Sequence, residues 1–325
     1  MQEREQFPDL LRGVGIFTVV YIHSISLTHQ HVIINYFSSI MPWEVGAFIF
    51  FFSLFYFKKL NKKSFPLIDQ AQTFKRLLIP FFFWSSVYFI LTVDLKSVTA
   101  LSIITKHFSG FGWPGQYFFI ILLQLVVVIP LLAKANFSVT IFLFVTSLFL
   151  GSFFNILTPY VPLMEKLSQR PFIYWLPFVL MALHSEKLPY FRRKEISLIA
   201  LIFCIAIIPI EVAHLKRNAN LNINHHLTFS IYLITITIIL SREHIIKILQ
   251  RIDILKRLLM YLGRNTMAIF CINPLIILIL KKTNIFPLGI MPSFIELPIL
   301  TFVVMSMCLL TAIIFKSVGG RRLVA

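Results

Sequence analysis

Apolar runs separated by charges, prolines or polar clusters recur along the whole chain. None shows the strict alternation of a lipid-facing barrel strand, so each run is predicted to be a helix. A hydrocarbon core of roughly 30 Å needs about 20 apolar residues in a helix. Ten runs reach or approach that length: 12–27, 43–57, 77–93, 117–133, 139–154, 172–183, 196–212, 227–240, 266–280 and 294–315. The pattern predicts an all-α, polytopic membrane protein with about ten transmembrane helices. Nine or eleven spans also stay possible, because two runs are short, 43–57 and 172–183, and a further apolar piece lies at 98–105.

Composition excludes a soluble protein, because 58% of the residues are hydrophobic, only 13% are charged and the mean hydropathy is +0.85. No connection between spans is long enough to form a core of its own, so residues 1–325 are expected to form a single transmembrane domain. Cys204, Cys271 and Cys308 lie inside apolar runs and are predicted to be buried, without a disulfide or a metal site.

The net charge of +17 is distributed unevenly between the two sides of the membrane. When the connections are assigned to alternate sides, one side has eight of the 30 basic residues, which are Lys96, Lys106, Lys166, Arg170, Lys216, Arg217, Lys281 and Lys282. The side that holds the other 22 is expected to be cytoplasmic, together with both termini. Orientation and contact with anionic membrane lipid account for these charges, and they form no single stripe for nucleic acid.

The first span contains three ionisable side chains, Asp9, Arg12 and His23. His23 follows Arg12 by eleven positions in the helix, which places both on one face, roughly 16 Å apart. An ionisable group in mid-membrane normally faces a protein interior or a wet cavity, so His23 is either a functional base or a hydrogen-bonded structural histidine. Arg12 is suited either to binding phosphate or to anchoring the helix end at the cytoplasmic side of the membrane. Asp9 either orients Arg12 or caps the helix.

The stretch from Asp9 to Ser24 resembles the opening helix of the acyltransferase 3 family, with the same spacing of Asp, Arg and His. Four later segments follow in the family's order: 46–55 with its aromatic residues, 74–84 with its basic entry to a helix, 115–119, and 262–275. The resemblance covers nearly the whole chain. It departs from the family at Leu54, where Gly is usual, and at Asn273, where His before Pro is common. Asn273 cannot serve as an acid or base near neutral pH.

The resemblance implies an O-acyltransferase of the bacterial cytoplasmic (inner) membrane, with no bound cofactor or metal. Acetyl-CoA or another acyl-CoA would be the cytoplasmic co-substrate, and a sugar hydroxyl of a surface polysaccharide or its lipid-linked precursor would be the acceptor. It implies His23 as the catalytic base or acyl carrier, Arg12 and Arg76 as donor-binding residues, and Asp9 as the residue that orients Arg12. Candidate substrate contacts are Glu44, Ser53, Gln116, Tyr117 and Asn273.

Other interpretations stay open beside this one. A polysaccharide exporter or flippase would use the same charges to line a pathway without chemistry. Arg76 and the nearby Lys58 and Lys59 also fit a topological role with lipid contact. The aromatic residues around Tyr117 fit an interfacial belt as well as a sugar-stacking site. The pair His225 and His226 is expected in a hydrated loop, with a metal site as the alternative.

Overall fold

All regular structure in the described part of the chain is helical, which confirms the all-α prediction. The computed structural model describes residues 6–27, 39, 41–61, 66–93, 98–186, 194–218, 223–249, 251–283, 292–320 and 323. Lys96 and the side chains of Lys216 and Arg217, counted above among the basic residues, lie outside this description.

The helices follow one another with short connections. They are α1 (Gln6–Ser24), α2 (Trp43–Asn61), α3 (Pro66–Thr92), α4 (Ala100–Phe108), α5 (Gln116–Leu132), α6 (Phe137–Ser152), α7 (Phe154–Leu157), α8 (Pro162–Leu167), α9 (Leu176–Leu183), α10 (Lys194–Asn218), α11 (Phe229–Leu240), α12 (Arg242–Leu249), α13 (Asp253–Arg264), α14 (Thr266–Thr283) and α15 (Ser293–Ser317). Single 3₁₀ turns occur at Ile25–Leu27, Thr158–Tyr160 and Phe172–Trp175.

Within the described residues, five helical segments are long and apolar enough to cross a membrane: Phe7–Leu27, Leu67–Thr92, Glu195–Leu215, Thr266–Thr283 and Ile295–Ser317. Two bent pairs bring the number to seven if each is one span. They are Phe137–Ser152 with Phe154–Tyr160, bent by 63°, and Phe229–Leu240 with Arg242–Leu249, bent by 69°. The structure therefore supports a multi-pass membrane protein with five to seven of the ten predicted spans.

Three predicted spans lack the length or the apolar composition of a membrane-crossing helix, each for its own physical reason. Helix α5 has 17 residues and helix α9 only 8, so at 1.5 Å per residue α5 extends about 25 Å, less than a bilayer core. Helix α2 has charged residues at its two ends, Glu44, Lys58 and Lys59. All three helices are rich in buried residues, whereas α10 exposes many large apolar side chains. The apolar side chains of α2, α5 and α9 pack against other parts of the protein, whereas the exposed ones of α10 are suited to contact with lipid.

Helix α1 lies at the centre of the molecule and packs against α2, α13, α14 and α15. Helix α2 in turn packs against α5, α9 and α11. The closest approach is between α1 and α13, where a Cβ atom added to Gly263 would lie 1.9 Å from the backbone oxygen of Asp9. Only glycine permits this contact, and it brings the end of α13 beside the beginning of α1.

Candidate active site

The imidazole of His23 is held by a side chain of α14. Its Nδ1 lies 2.5 Å from Oδ1 of Asn273. The amide nitrogen of Asn273 donates to the backbone carbonyls of Ile269 and Phe270, each at 2.9 Å. Because a carbonyl oxygen only accepts, the amide nitrogen must face the helix backbone and Oδ1 must face His23. Pro274 explains this arrangement, since proline lacks the N–H that would otherwise bond to the carbonyl of Phe270.

The orientation of Asn273 determines the tautomer of a neutral His23. With Oδ1 as acceptor, the imidazole donates from Nδ1 and keeps its lone pair on Nε2. An imidazole with a free Nε2 is the form that a general base or a nucleophile requires. In this structure Asn273 is a partner of the histidine, and its predicted contact with substrate stays a prediction.

His23 lines a cavity of about 430 Å³, the histidine cavity, whose polar side chains are Glu44, Tyr117, Gln169 and His226. Glu44 is buried, and its Oε2 has no hydrogen-bond partner among the described residues. The hydroxyl of Tyr117 lies 3.4 Å from Nε2 of His226. Two of the predicted substrate contacts, Glu44 and Tyr117, therefore share one cavity with the predicted base.

Asn155 and Asn224 hold one side of the histidine cavity in place, and the sequence did not predict their role. Asn155 donates to the backbone oxygens of Asn224 and Leu227, at 3.1 and 2.8 Å, and accepts from the backbone N–H of Asn224 at 2.8 Å. The side chain of Asn224 then donates to Gln169 at 2.8 Å and accepts from the backbone N–H of His226 at 3.2 Å. No periodic signal in the sequence links these segments.

His226 lies in a turn, as expected for a loop, but it is half-buried, because the asparagine contacts fold this segment over the cavity. The Nδ1 of His226 is enclosed and has no hydrogen-bond partner among the described residues. Burial, together with the neighbouring His225 and His23, lowers the pKa of His226 from 6.5 to about 4. His226 is therefore neutral at neutral pH and can exchange hydrogen bonds with hydroxyl groups.

A second cavity, the arginine cavity, has a volume of about 330 Å³ and is lined by Arg12, Lys59 and Arg76. These residues come from α1, α2 and α3. The guanidinium of Arg12 also lies over the ring of Phe55, 5.4 Å from its centroid. The two predicted donor-binding arginines thus line one cavity, and the structure adds Lys59, for which lipid contact was the favoured interpretation.

Carboxylates orient two of the cations in the arginine cavity. Asp9 is buried and lies 3.2 Å from Arg12 and 3.5 Å from Arg264 of α13. Asp69 lies 2.9 Å from the ammonium group of Lys59. The predicted contact between Asp9 and Arg12 is present, and Arg264 is a partner that the sequence alone did not indicate. A buried carboxylate between two guanidinium groups restricts the positions that Arg12 can take.

Three phenylalanine rings line both cavities, Phe48 of α2, Phe118 of α5 and Phe270 of α14. Each of the three is only 8% exposed. The basic residues of the arginine cavity and the polar residues of the histidine cavity are therefore separated by a layer of aromatic side chains.

The chain matches a known protein family. The family model of the acyltransferase 3 domain matches residues 5–316, nearly the whole chain. The chain belongs to the acyltransferase 3 family. No curated protein and no solved structure matches the chain significantly. This acyltransferase is thus assigned by its sequence to a family of membrane enzymes, and its helices fit a multi-pass membrane location.

Gln116 is another predicted substrate contact of this acyltransferase. Both polar atoms of its side-chain amide are hydrogen-bonded within the protein. Its amide nitrogen donates to the hydroxyl of Ser85 at 2.9 Å and to the backbone oxygens of Lys106 and His107 at 3.0 and 2.9 Å. Its oxygen accepts from the backbone N–H of Gly112 at 2.6 Å. Gln116 holds the connection between α4 and α5 in place and does not line either cavity.

Ser53 is also buried away from both cavities of the acyltransferase. The next residue, Leu54, replaces the glycine that is usual in the family, and its side chain is buried as well. Nothing in the structure connects Ser53 with substrate, so its role stays a prediction.

Proposed function

We propose that this membrane acyltransferase transfers an acyl group, with acetyl as the favoured case, from a cytoplasmic acyl-CoA to a sugar hydroxyl. The acceptor would be a bacterial surface polysaccharide or its lipid-linked precursor. One observation carries the proposal: α1 presents Arg12 to a basic cavity and His23 to a polar cavity on the same helix. A donor site and an acceptor site are then joined by one rigid element.

The arginine cavity is the site for the phosphates of the donor. Arg12 and Arg76 can each bind phosphate oxygens through two N–H groups, and Lys59 adds a point charge. Arg12 and His23 are roughly 16 Å apart along α1, so the extended pantetheine arm must carry the thioester from one cavity to the other. Asp9 orients Arg12 and thereby the donor.

The histidine cavity is the site for the acceptor hydroxyl. Nε2 of His23 takes the proton of the hydroxyl as its oxygen forms a bond to the thioester carbonyl carbon. The tetrahedral intermediate collapses with cleavage of the carbon–sulfur bond, and the proton passes from His23 to the departing thiolate to give free CoA. Glu44, Tyr117 and His226 offer hydrogen bonds to neighbouring hydroxyls of the sugar. Transfer through an acyl-histidine would use the same Nε2.

The proposed location is the bacterial cytoplasmic membrane, with ten spans and both termini in the cytoplasm. The sorting of basic residues between alternate connections supports this orientation. It places the arginine cavity on the cytoplasmic side, where acyl-CoA is available. Basic residues that do not line the cavity would contact anionic lipid headgroups.

The decisive experiment replaces His23 by Ala in the strain whose glycan is modified. Loss of the base should remove glycan acylation by at least about a hundredfold, while the protein level and the amount of exported glycan remain unchanged. His107→Ala is the matched control, since the side chain of His107 lies outside both cavities. Acylation is measured by NMR of purified glycan, and retained acylation in the His23→Ala strain would refute the assignment.

The same strains distinguish an enzyme from an exporter. A deletion strain that exports normal amounts of glycan without acyl groups supports the acyltransferase. A deletion strain that loses export and keeps acyl groups on the intracellular glycan supports a transporter, in which His23 and Arg12 line a pathway.

A further inference from the structure

The rings of Phe48, Phe118 and Phe270 form one contact series at the boundary between the two cavities. The centroids of Phe48 and Phe118 are 6.2 Å apart with an interplanar angle of 61°. Those of Phe118 and Phe270 are 5.4 Å apart at 60°. Edge-to-face contacts of this kind are favourable aromatic geometries, so the three rings stabilise one another as a group. We call this group the aromatic partition.

Two glycines make room for the partition. A Cβ atom added to Gly15 of α1 would lie 2.8 Å from the ring of Phe48. A Cβ atom added to Gly115 would lie 2.6 Å from the ring of Phe270, and Gly115 has a φ of +95°. The chain therefore places residues without side chains directly against two of the three rings, and any other residue there would displace them.

Gly15 also lies between Arg12 and His23 along α1. The partition thus stands at an intermediate level of the helix that connects the donor phosphates with the base. A thioester that reaches His23 from the arginine cavity must pass these rings.

We propose that the aromatic partition selects the acyl group by its cross-section, an inference that rests on the proposed function. The carbonyl of an acyl thioester and the amides of the pantetheine arm are planar, so with an unbranched acyl group they can slide edge-on between rings that rotate slightly. A branch beside the carbonyl is wider and would have to displace a buried ring from a closely packed core. Acetyl and other unbranched groups therefore pass, and branched groups are excluded.

The test compares acetyl-CoA with isobutyryl-CoA as donors for the full-length protein in membranes that carry the cell's own glycan. Phe118→Ala widens the partition, and it should raise the ratio of isobutyryl to acetyl transfer by about tenfold or more. Phe118→Leu, a smaller change, should raise the ratio in the same direction and covers the case in which the alanine variant does not fold. Transfer is measured by mass spectrometry of the glycan.

The matched control is Phe119→Ala. Phe119 is fully buried, and its ring lies 6.3 Å from that of Phe270, but it lines neither cavity. Its replacement should leave the donor ratio unchanged. The inference is overturned if the unmodified protein uses both donors equally, if neither Phe118 variant changes the ratio, or if Phe119→Ala changes it as much. Absence of transfer from both donors by the unmodified protein would refute the proposed function with acetyl as the transferred group, and the selection with it.

Discussion

At the scale of single residues, the pairing of His23 with Asn273 is what gives the histidine a defined chemistry. A neutral histidine can carry its proton on either ring nitrogen, and a neighbouring hydrogen-bond partner decides which tautomer is populated. Asn273 does so because its own amide nitrogen is committed to the carbonyls of Ile269 and Phe270. In the proposed mechanism His23 is the base, and Asn273, which stands where a titratable residue is common in the family, is its positioning residue.

Asn273→Ala should lower kcat by about tenfold to a hundredfold, because both tautomers and several ring orientations of His23 become populated. KM for acyl-CoA should stay unchanged, since the arginine cavity is not altered. Steady-state kinetics with acyl-CoA and the glycan acceptor measures both constants.

The companion variant is Asn273→His, which introduces the residue that is common in the family at this position. It should retain more activity than Asn273→Ala, because an imidazole can also accept a hydrogen bond from Nδ1 of His23. A raised KM for the acceptor with an unchanged kcat would instead identify Asn273 as a substrate contact.

At the scale of elements, α1 acts as the axis of the site because it contributes Asp9, Arg12, Gly15 and His23 along one helix. Its position depends on the close crossing with α13, where Gly263 touches the backbone of Asp9. This crossing also brings Arg264 to within 3.5 Å of the Asp9 carboxylate. Helix packing therefore affects the position of Asp9 and, through it, of Arg12, the proposed donor ligand.

Gly263→Ala should separate α1 from α13, because the new methyl group cannot occupy a position 1.9 Å from the oxygen of Asp9. We expect a loss of about 1–3 kcal/mol of stability and a raised KM for acyl-CoA. Thermal unfolding of the purified protein in detergent and donor kinetics provide the measurements. Leu258→Ala, an exposed position on the same helix, is the control and should change neither value; equal stability of the two variants would contradict the crossing.

At the scale of the whole molecule, the orientation in the membrane decides which cavity receives the donor. The crossing of the membrane by α5 tests this orientation, because its 17 residues extend only about 25 Å. The two ends of α5 are flanked by exposed basic residues, Lys106 on one side and Lys134 on the other. Charge sorting places Lys106 outside and Lys134 in the cytoplasm.

Cysteine labelling tests this orientation with little background, because the native Cys204, Cys271 and Cys308 are all buried. An impermeant maleimide added to intact cells, with the outer membrane made permeable, should label the Lys106→Cys variant. The Lys134→Cys variant should react only after the inner membrane is opened, because its thiol faces the cytoplasm. Labelling of both variants from the same side would show that α5 does not cross, and the ten-span topology would be wrong.

The sequence predicted the helices, the membrane class and the alignment of Asp9, Arg12 and His23 because these depend on local periodicity and composition. It also predicted that Arg12 and Arg76 serve one region, and both line the arginine cavity. The structure supports five to seven of the ten predicted spans, and the other three, α2, α5 and α9, use their apolar residues to pack against protein. Apolar composition alone does not distinguish a lipid-facing helix from a buried one.

Composition, hydrophobic periodicity and the order of motifs were enough to predict the family, the helical class and the single helix that joins a basic end to His23. The groups that meet this helix became known from the fold: Asn273, 250 residues from His23, Lys59 and Arg264 beside Arg12, His226 across the histidine cavity, and three rings between the cavities. The physical reason is that periodicity assigns a residue to a face of its own helix. Contacts between helices depend on how side chains and close glycine approaches fit together, which no spacing along the chain records.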